Sequence, residues 1–358
     1  VRAVIRIDGA YGEGGGQILR MALALSAILA VPVEVTNIRA GRKNPGLQPQ
    51  HLTAVNALAA ITGAEVQGAV VGSTHLRFSP GVGRENAYRF EVGTAGAISL
   101  VLQAVLLPLA FAKGPSRLTL SGGTHVPWSP PYQYTTEVFL PALARMGVKV
   151  EMELIRWGFY PKGGGEVKGI VSPVHTLQPL DSTLRGPLVG IRGLSAVANL
   201  PVAIAKRQKD QAETRLREAG FEARIDLLET GARGPGTFLF LLAEFEGARA
   251  GFSALGERGK PAERVADEAV EAFLTYLRSG AALDPYLADQ LLLPMALAEG
   301  VSAMTTSRIS QHLLTNVWLI QQFLPIPIRV EGKAGSPGQV TVEGAGVRNR
   351  HLDPSHPR

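Results

Sequence analysis

Three stretches of this chain hand a helix pattern over to a strand pattern in the same way, at 51–66, 136–152 and 314–331. Short words recur as well. Tyr11-Gly-Glu-Gly-Gly-Gly-Gln17 resembles Tyr160-Pro-Lys-Gly-Gly-Gly-Glu166, and the Leu-Leu-Pro word at 106–114 resembles the one at 292–300. Internal repetition constrains a fold strongly, because each repeat is one supersecondary unit that buries its apolar face against its neighbours. The expected architecture is α/β (α+β): about three βαβα-type units packed around a common axis. Residues 187–279 interrupt the series with their own order of strand 189–197, helix 201–219, strands 222–229, 237–246 and 250–255, and helix 260–279. The expected organisation is a discontinuous repeat-built domain (1–186 and 280–340) and a smaller inserted α/β domain (187–279). A mobile tail is expected over 341–358, with no periodicity from Gly344 on.

Local signals support this reading. Val4-Ile-Arg-Ile-Asp8 alternates like a strand, runs into a glycine loop at 9–17, and gives way to a helix pattern from Ile18 to about Ala30. Helix 51–63 carries apolar residues at three- and four-residue spacing and stops at Gly63.

Composition narrows the chemistry. Cysteine is absent, which removes disulfides and thiolate catalysis and fits a reducing cytosol, so a cytoplasmic location is expected. None of the seven histidines lies in an HxH or HExxH pattern, so a zinc site is not expected. The longest apolar run, Met21 to Val33, is shorter than the roughly 20 residues that cross a bilayer, and its glycine-rich upstream flank is not that of a signal peptide. The formal charge is +6, and 27 of the 36 basic residues are arginine, a composition that favours phosphate ligands.

Four segments carry candidate chemistry. The loop at 9–17 combines glycines, which permit close backbone approach, with a following helix N-terminus that offers free amides to an anion. It lacks the Gly-Lys-Ser/Thr of a Walker loop, and Gln17 replaces the last glycine of a dinucleotide fingerprint. Glu13 and Gln17 flank the triple glycine, where a packing turn needs neither. The second segment, Arg39 to His51, sets Arg39, Arg42 and Lys43 on a glycine- and proline-stiffened loop; a phosphate clamp and a solvated basic loop both fit it. Third, His312 opens an apolar helix, where a pocket-mouth nucleophile and a buried hydrogen-bonded ring are both compatible with the pattern. The fourth is Tyr286-Leu-Ala-Asp289-Gln290, polar groups leading an apolar helix, for which a cap is the simple explanation.

Taken in order, these words resemble the RNA 3′-terminal phosphate cyclase family. The resemblance rests on Asp8-Gly-Ala-Tyr-Gly-Glu-Gly-Gly-Gly-Gln-Ile-Leu-Arg20, Ile38-Arg-Ala-Gly-Arg42, Gln50-His-Leu-Thr-Ala-Val55, Gly158-Phe-Tyr-Pro-Lys-Gly-Gly-Gly165, Tyr286 to Gln290 and His312-Leu-Leu-Thr-Asn316. It extends from residue 4 to about 330 and is looser over 187–279. It implies an ATP-dependent ligase-type enzyme that acts in RNA processing. A histidine takes AMP from ATP and releases pyrophosphate, AMP passes to an RNA 3′-phosphate, and the ribose 2′-hydroxyl closes a 2′,3′-cyclic end.

The resemblance further implies His312 as nucleophile, and Glu13, Gln17, Gln103, Pro130, Phe252, Tyr286, Leu287, Ala288, Asp289 and Gln290 around the nucleotide. Phe252 would be the adenine stacking face. Arg20, Arg39, Arg42, Gln50 and His51 would hold the RNA end. ATP and a divalent cation, Mg²⁺ or Mn²⁺, are the implied cofactors, with Glu13 the carboxylate offered as ligand; RNA bearing a 3′-phosphate is the implied partner, and no membrane is. One departure stands out: Gly122-Gly-Thr-His125-Val-Pro127 replaces the Gly-Gly-Thr-Asp-Asn-Pro frequent in bacterial members. The rival readings are a non-catalytic relative in ribosomal RNA processing, which His312 argues against, an enolpyruvyl-transferase-like enzyme, and a plain RNA-binding scaffold.

Overall fold

The computed structural model describes residues 3–83 and 85–352. Its first unit comprises β1 (Ile5–Asp8), α1 (Gly16–Leu29), β2 (Val33–Thr36), α2 (Pro49–Thr62), β3 (Glu65–Gln67) and β4 (Leu76–Ser79). The second comprises β5 (Ala87–Glu91), α3 (Ile98–Ala110), β6 (Ser116–Gly122), α4 (Tyr132–Tyr134), a π-helical stretch (Thr135–Phe139), α5 (Leu140–Arg145), β7 (Val150–Arg156) and β8 (Gly165–Val171). A third unit opens with β9 (Asp181–Ser182). It is then interrupted by β10 (Leu188–Ala198), α6 (Val202–Glu218), β11 (Ala223–Thr230), β12 (Gly236–Phe245), β13 (Arg249–Leu255) and α7 (Ala262–Ser279). It resumes with α8 (Pro285–Leu297), β14 (Glu299–Thr306), α9 (Gln311–Phe323), β15 (Ile328–Glu331) and β16 (Gly338–Ala345).

The three sheets share one topology: β1-β2-β4-β3, β5-β6-β8-β7 and β9-β14-β16-β15. In each, the first two strands are parallel across a helix and the last two form an antiparallel pair. The repeat is therefore βαβαββ, two strands longer than the βαβα expectation. Helix α1 packs on α2 of its own unit, on α3 of the second and on α9 of the third, so the helices meet in one apolar core. The interrupting elements build a separate sheet, β11-β10-β12-β13, with α6 and α7 on it. Their second apolar cluster includes Leu216, Ile225, Leu241 and Phe273.

Helix α1 stops at Ala30 and α2 at Gly63, both left-handed. The mobile tail expected from residue 341 is not found over its described part. Val340 and Val342 alternate into the main core from β16, and the buried Asn349 donates to the carbonyls of Ala112 and Val174. Residues 353–358 lie outside the described residues. Among those described, no helix is long and apolar enough to cross a membrane.

Candidate active site

The glycine loop is folded by its own contacts. Asp8 Oδ1 accepts from the Ala10 amide and from Asn37 Nδ2, while Gly12 and Gly14 turn the chain at φ +59° and +58°. A Cβ on Gly12 would lie 2.4 Å from Thr315 Oγ1, so the loop presses on the first turns of α9. Tyr11 stacks on Trp318 of the same helix at 3.8 Å. These contacts carry Glu13 to His312, with Glu13 Oε2 2.7 Å from His312 Nε2. Arg42 donates to Glu13 Oε1 and to the Glu13 carbonyl, both at 3.2 Å. A carboxylate thus bridges an imidazole and a guanidinium.

His312 sits in the first turn of α9, which Ser310 caps by accepting from the Leu313 amide. Burial lowers the ring's pKa from its usual value; Glu13 opposes this, and Arg20 and Arg42 add to it. The ring is neutral at pH 7. Behind it runs a chain of hydrogen bonds. Gln17 Nε2 donates to the His312 carbonyl and to Asn316 Oδ1, and Asn316 Nδ2 donates to the Asp289 carbonyl. Ser310 Oγ donates to Asp289 Oδ1 at 2.6 Å. Burial pushes the Asp289 carboxyl up to about 7. The chain locks α1, α8 and α9 together, so the histidine's backbone is fixed whatever its ring does.

The N-terminus of α1 has no side-chain cap on Gly15, so its first amides face the loop unclaimed by a side chain. A Cβ on Gly16 would lie 2.1 Å from His51 Nε2 and 3.1 Å from an Arg20 Nη, which puts both side chains at this helix end. Burial lowers Arg20 to about 10, leaving it charged at neutral pH. His51 is held neutral, down to about 3, first by burial and then by Arg20 and Arg39. Its Nδ1 accepts from the Gln48 amide, which assigns the ring proton to Nε2, on the Gly16 side. Gln17 Oε1 is buried without a hydrogen-bond partner.

The other sequence candidates divide. Arg39 spends its Nη1 on the carbonyls of Asn44 and Gly46, which makes it a staple of its own loop. Gln50 Oε1 accepts from the Ala97 amide. Tyr286 is exposed at the start of α8, and Gln290 donates to its carbonyl. Gln103 on α3 and Pro130 ahead of α4 are half-buried and form no hydrogen bond with the histidine cluster. Three expectations need correction. Leu287 and Ala288 point into the main core, so their side chains are closed to a nucleotide. Phe252 is only 7% exposed and packs edge-on against Phe273 of α7, a core ring of the insert rather than an open stacking face.

Sequence reasoning did not assign Ser310, Asn316 or the buried Asp284–Tyr134 pair. Asp284 caps α8 by accepting from the Tyr286 and Leu287 amides, and Tyr134 donates to both its carboxylate oxygens. An Asp directly before Pro285 was the available signal for that cap. The cap is thus Asp284 and not the Tyr286–Gln290 word. The unusual His125 is a core residue: it stacks on Trp157 at 4.0 Å and bonds Thr124 and Gln133.

A family model described as RNA 3′-terminal phosphate cyclase matches residues 11–330. Curated proteins of that name are similar along nearly their whole length. The one from Pyrobaculum neutrophilum is 46% identical, over 96% of this chain and 99% of its own. The one from Methylococcus capsulatus is 47% identical over 97% and 99%, and that from Methanopyrus kandleri 44% over 96% and 100%. Among solved structures, the enolpyruvyl transferase NikO from Streptomyces tendae aligns with 97% of this chain and 49% of its own, at 10% identity and a TM-score of 0.36, too low to carry an argument. The matched residues run from the glycine loop through the His312 helix to β15, and on that extent the chain belongs to the RNA 3′-terminal phosphate cyclase family.

Proposed function

We propose that the protein uses ATP to convert an RNA 3′-terminal phosphate into a 2′,3′-cyclic phosphodiester through AMP carried on His312. The observation that carries this reading is the Glu13–His312 contact at 2.7 Å on a ring kept neutral at pH 7. A neutral imidazole attacks without prior deprotonation, and a carboxylate on its N–H stabilises the positive ring that forms. As the N–P bond to the α-phosphorus forms, the bridging bond to the β-phosphate breaks and pyrophosphate leaves. An oxygen of the RNA phosphate then displaces the histidine, which returns as free imidazole. Finally the 2′-hydroxyl attacks the activated phosphorus, loses its proton, and AMP departs.

The residues present fit an adenylate donor. The uncapped amides of α1, the half-buried Arg20 and the partly exposed Arg42 supply positive potential for polyphosphate, and Gln17 Oε1 supplies an acceptor. Among the described residues no group of three or more metal-binding side chains exists, so a divalent ion would be held by the phosphates with Glu13 as the protein's carboxylate. Bound there, Mg²⁺ or Mn²⁺ would neutralise charge on the leaving pyrophosphate.

The test is labelling with ATP carrying a radioactive α-phosphate, on wild type and His312→Ala, with Mg²⁺ or Mn²⁺ present. Acid-labile, alkali-stable label on wild type alone is the expected result. No label on a folded, ATP-binding wild type sinks the mechanism and leaves the non-catalytic RNA-processing reading in front.

A further inference from the structure

Away from His312, an open cleft of about 470 Å³ is bordered by Gln50, Gly96, Ala97, Val126, Trp128 and Tyr160. Two of these are exposed aromatics of a kind a folded surface rarely keeps. Trp128 is 97% exposed and Tyr160 67%. Trp128 also has φ +65°, a left-handed backbone that is costly for a bulky side chain and that persists only where neighbours impose it. Packing does not explain a ring with almost no protein contact.

The platform beneath the rings is rigid. The Gly158 amide donates to Thr124 Oγ1, while the Thr124 and His125 amides both donate to the Gly158 carbonyl. His125 then stacks on Trp157, which joins the tryptophan-bearing loop to the tyrosine-bearing one. Cations lie on the tyrosine-bearing side. Lys162 follows Tyr160 by two residues on the same loop and lies against Gly234 of the insert, and the neighbouring Arg233 lies against Gly164 of that loop, so both cations gather on the tyrosine side of the cleft. Among the described residues no carboxylate pairs with Lys162 or Arg233. Gln50, on the cleft wall, precedes His51, which reaches the glycine loop.

We propose that this cleft is a base-stacking subsite for single-stranded RNA, in which Trp128 and Tyr160 hold a nucleobase a short distance 5′ of the terminal phosphate while Lys162 and Arg233 face the backbone. The inference rests on the RNA-end reading above. Exposed aromatics beside unpaired cations match a ligand that has both π-faces and phosphates. A protein partner would need no such pairing, and the flanking glycines let a sugar–phosphate chain approach closely.

Equilibrium binding of 3′-phosphorylated oligonucleotides carrying one abasic site, scanned inward from the 3′ end, tests it without requiring turnover. On wild type, one position near the end should weaken binding by roughly 5- to 150-fold, the span of a lost base–aromatic stack. Trp128→Ala should weaken the intact oligonucleotide similarly and erase the penalty at that position, and Trp128→Phe should restore most of it. Trp128→Gly should melt no lower than wild type, because the backbone strain is relieved. Equal abasic profiles on wild type and Trp128→Ala overturn the subsite. A change in self-association on Trp128→Ala with RNA binding intact also overturns it, in favour of a contact between copies. Failure of wild type to take label from ATP would instead strike the catalytic reading alone.

Discussion

Two loops of this protein are written with nearly the same word and do different things. Tyr11 to Gln17 and Tyr160 to Glu166 each bend on two left-handed glycines, Gly12 and Gly14 in one, Gly163 and Gly164 in the other. The first runs into α1 and the second into β8, because the residues that follow have different periods. Ile18, Leu19, Ala22 and Leu23 recur at helix spacing, whereas Glu166, Val167, Lys168 and Gly169 lead a strand. The third letter reverses charge. Glu13 is paired on both sides, by His312 and Arg42, while Lys162 has no carboxylate partner among the described residues. Even the tyrosines part: Tyr11 is stacked on Trp318, and Tyr160 stands in solvent. The glycine word supplies a turn; the charge in its third place decides which side chains that turn engages.

Putting a lysine into the first loop should have the largest effect. Glu13→Lys replaces the carboxylate on the His312 ring with a cation, and labelling from ATP should slow by roughly 10²- to 10⁴-fold, the usual worth of a positioned acid–base group. Glu13→Gln sharpens the point through pH. In the proposed reaction the neutral ring is the nucleophile, so the labelling rate should fall as pH drops through the His312 pKa, which lies below its ordinary value. Glu13 is the group that raises that pKa, so removing its charge should move the acid limb to lower pH; Arg42→Gln should move it higher. Single-turnover labelling across pH reads both. An unmoved limb in both variants would mean that the titrating group is not His312.

The next effect concerns how each loop's supporting carboxylate is kept. Glu166, beside the second loop, is bound by Arg89 at 3.0 Å. Asp289, behind the first, has a neutral serine hydroxyl instead. Its pKa is raised to about 7 by burial, so its contribution to stability is fully present below its ordinary pKa near 3.8 and is lost as pH rises through about 7. Denaturant melts of wild type should therefore lose a few kcal/mol across that window relative to Asp289→Asn, whose amide does not titrate. Parallel pH profiles for the two proteins would show that Asp289 is charged in the native state throughout.

Much of this was legible in the residues. Repeats, glycine stops and helix spacing located the units and most helices. The words around Glu13 and His312 named both members of a pair 299 positions apart, a closeness that only the packing of α1 on α9 creates. What escaped was of two kinds. Short elements such as α4 and β9 carry too few residues for a period, whereas the strand-like Glu65-Val66 and Leu76-Arg77-Phe78 were readable as β3 and β4. β16 was hidden by its glycines, although Val340 and Val342 alternate and both are fully buried. Side-chain direction was the other gap. A word match assigns Leu287 and Phe252 as readily as Tyr286, but whether a ring faces a pocket or a core depends on register, and Phe252 turns inward onto Phe273.

Reversing the exchange should give a smaller effect than Glu13→Lys, and on a different step. Lys162→Glu should weaken RNA binding and reduce the slope of log affinity against log salt by about 1, as loss of one phosphate contact does. If it instead suppressed labelling from ATP as strongly as Glu13→Lys, the two loops would serve one site and the distinction between them would fail.

The smallest difference lies in the fifth letter of each word. Gly15 and Gly164 occupy equivalent places, and each is covered by an arginine. A Cβ on Gly15 would lie 3.1 Å from an Arg42 Nη, and one on Gly164 would lie 2.1 Å from Arg233 Cδ. Sterics already favour Gly15, where only a guanidinium tip must give a few tenths of an ångström, over Gly164, where Arg233 Cδ, Nε and Cγ would all lie within 3.0 Å and the side chain must move. Backbone separates them further: Gly15 is extended at φ −92°, open to any residue, whereas Gly164 is left-handed at φ +73°. Gly164→Ala should therefore cost about 1–2 kcal/mol of stability, and Gly15→Ala less than about 1, the loss of a glycine at a helix N-cap. Equal losses in urea melts would show that neither the left-handed backbone at Gly164 nor its closer arginine sets the cost of a side chain there.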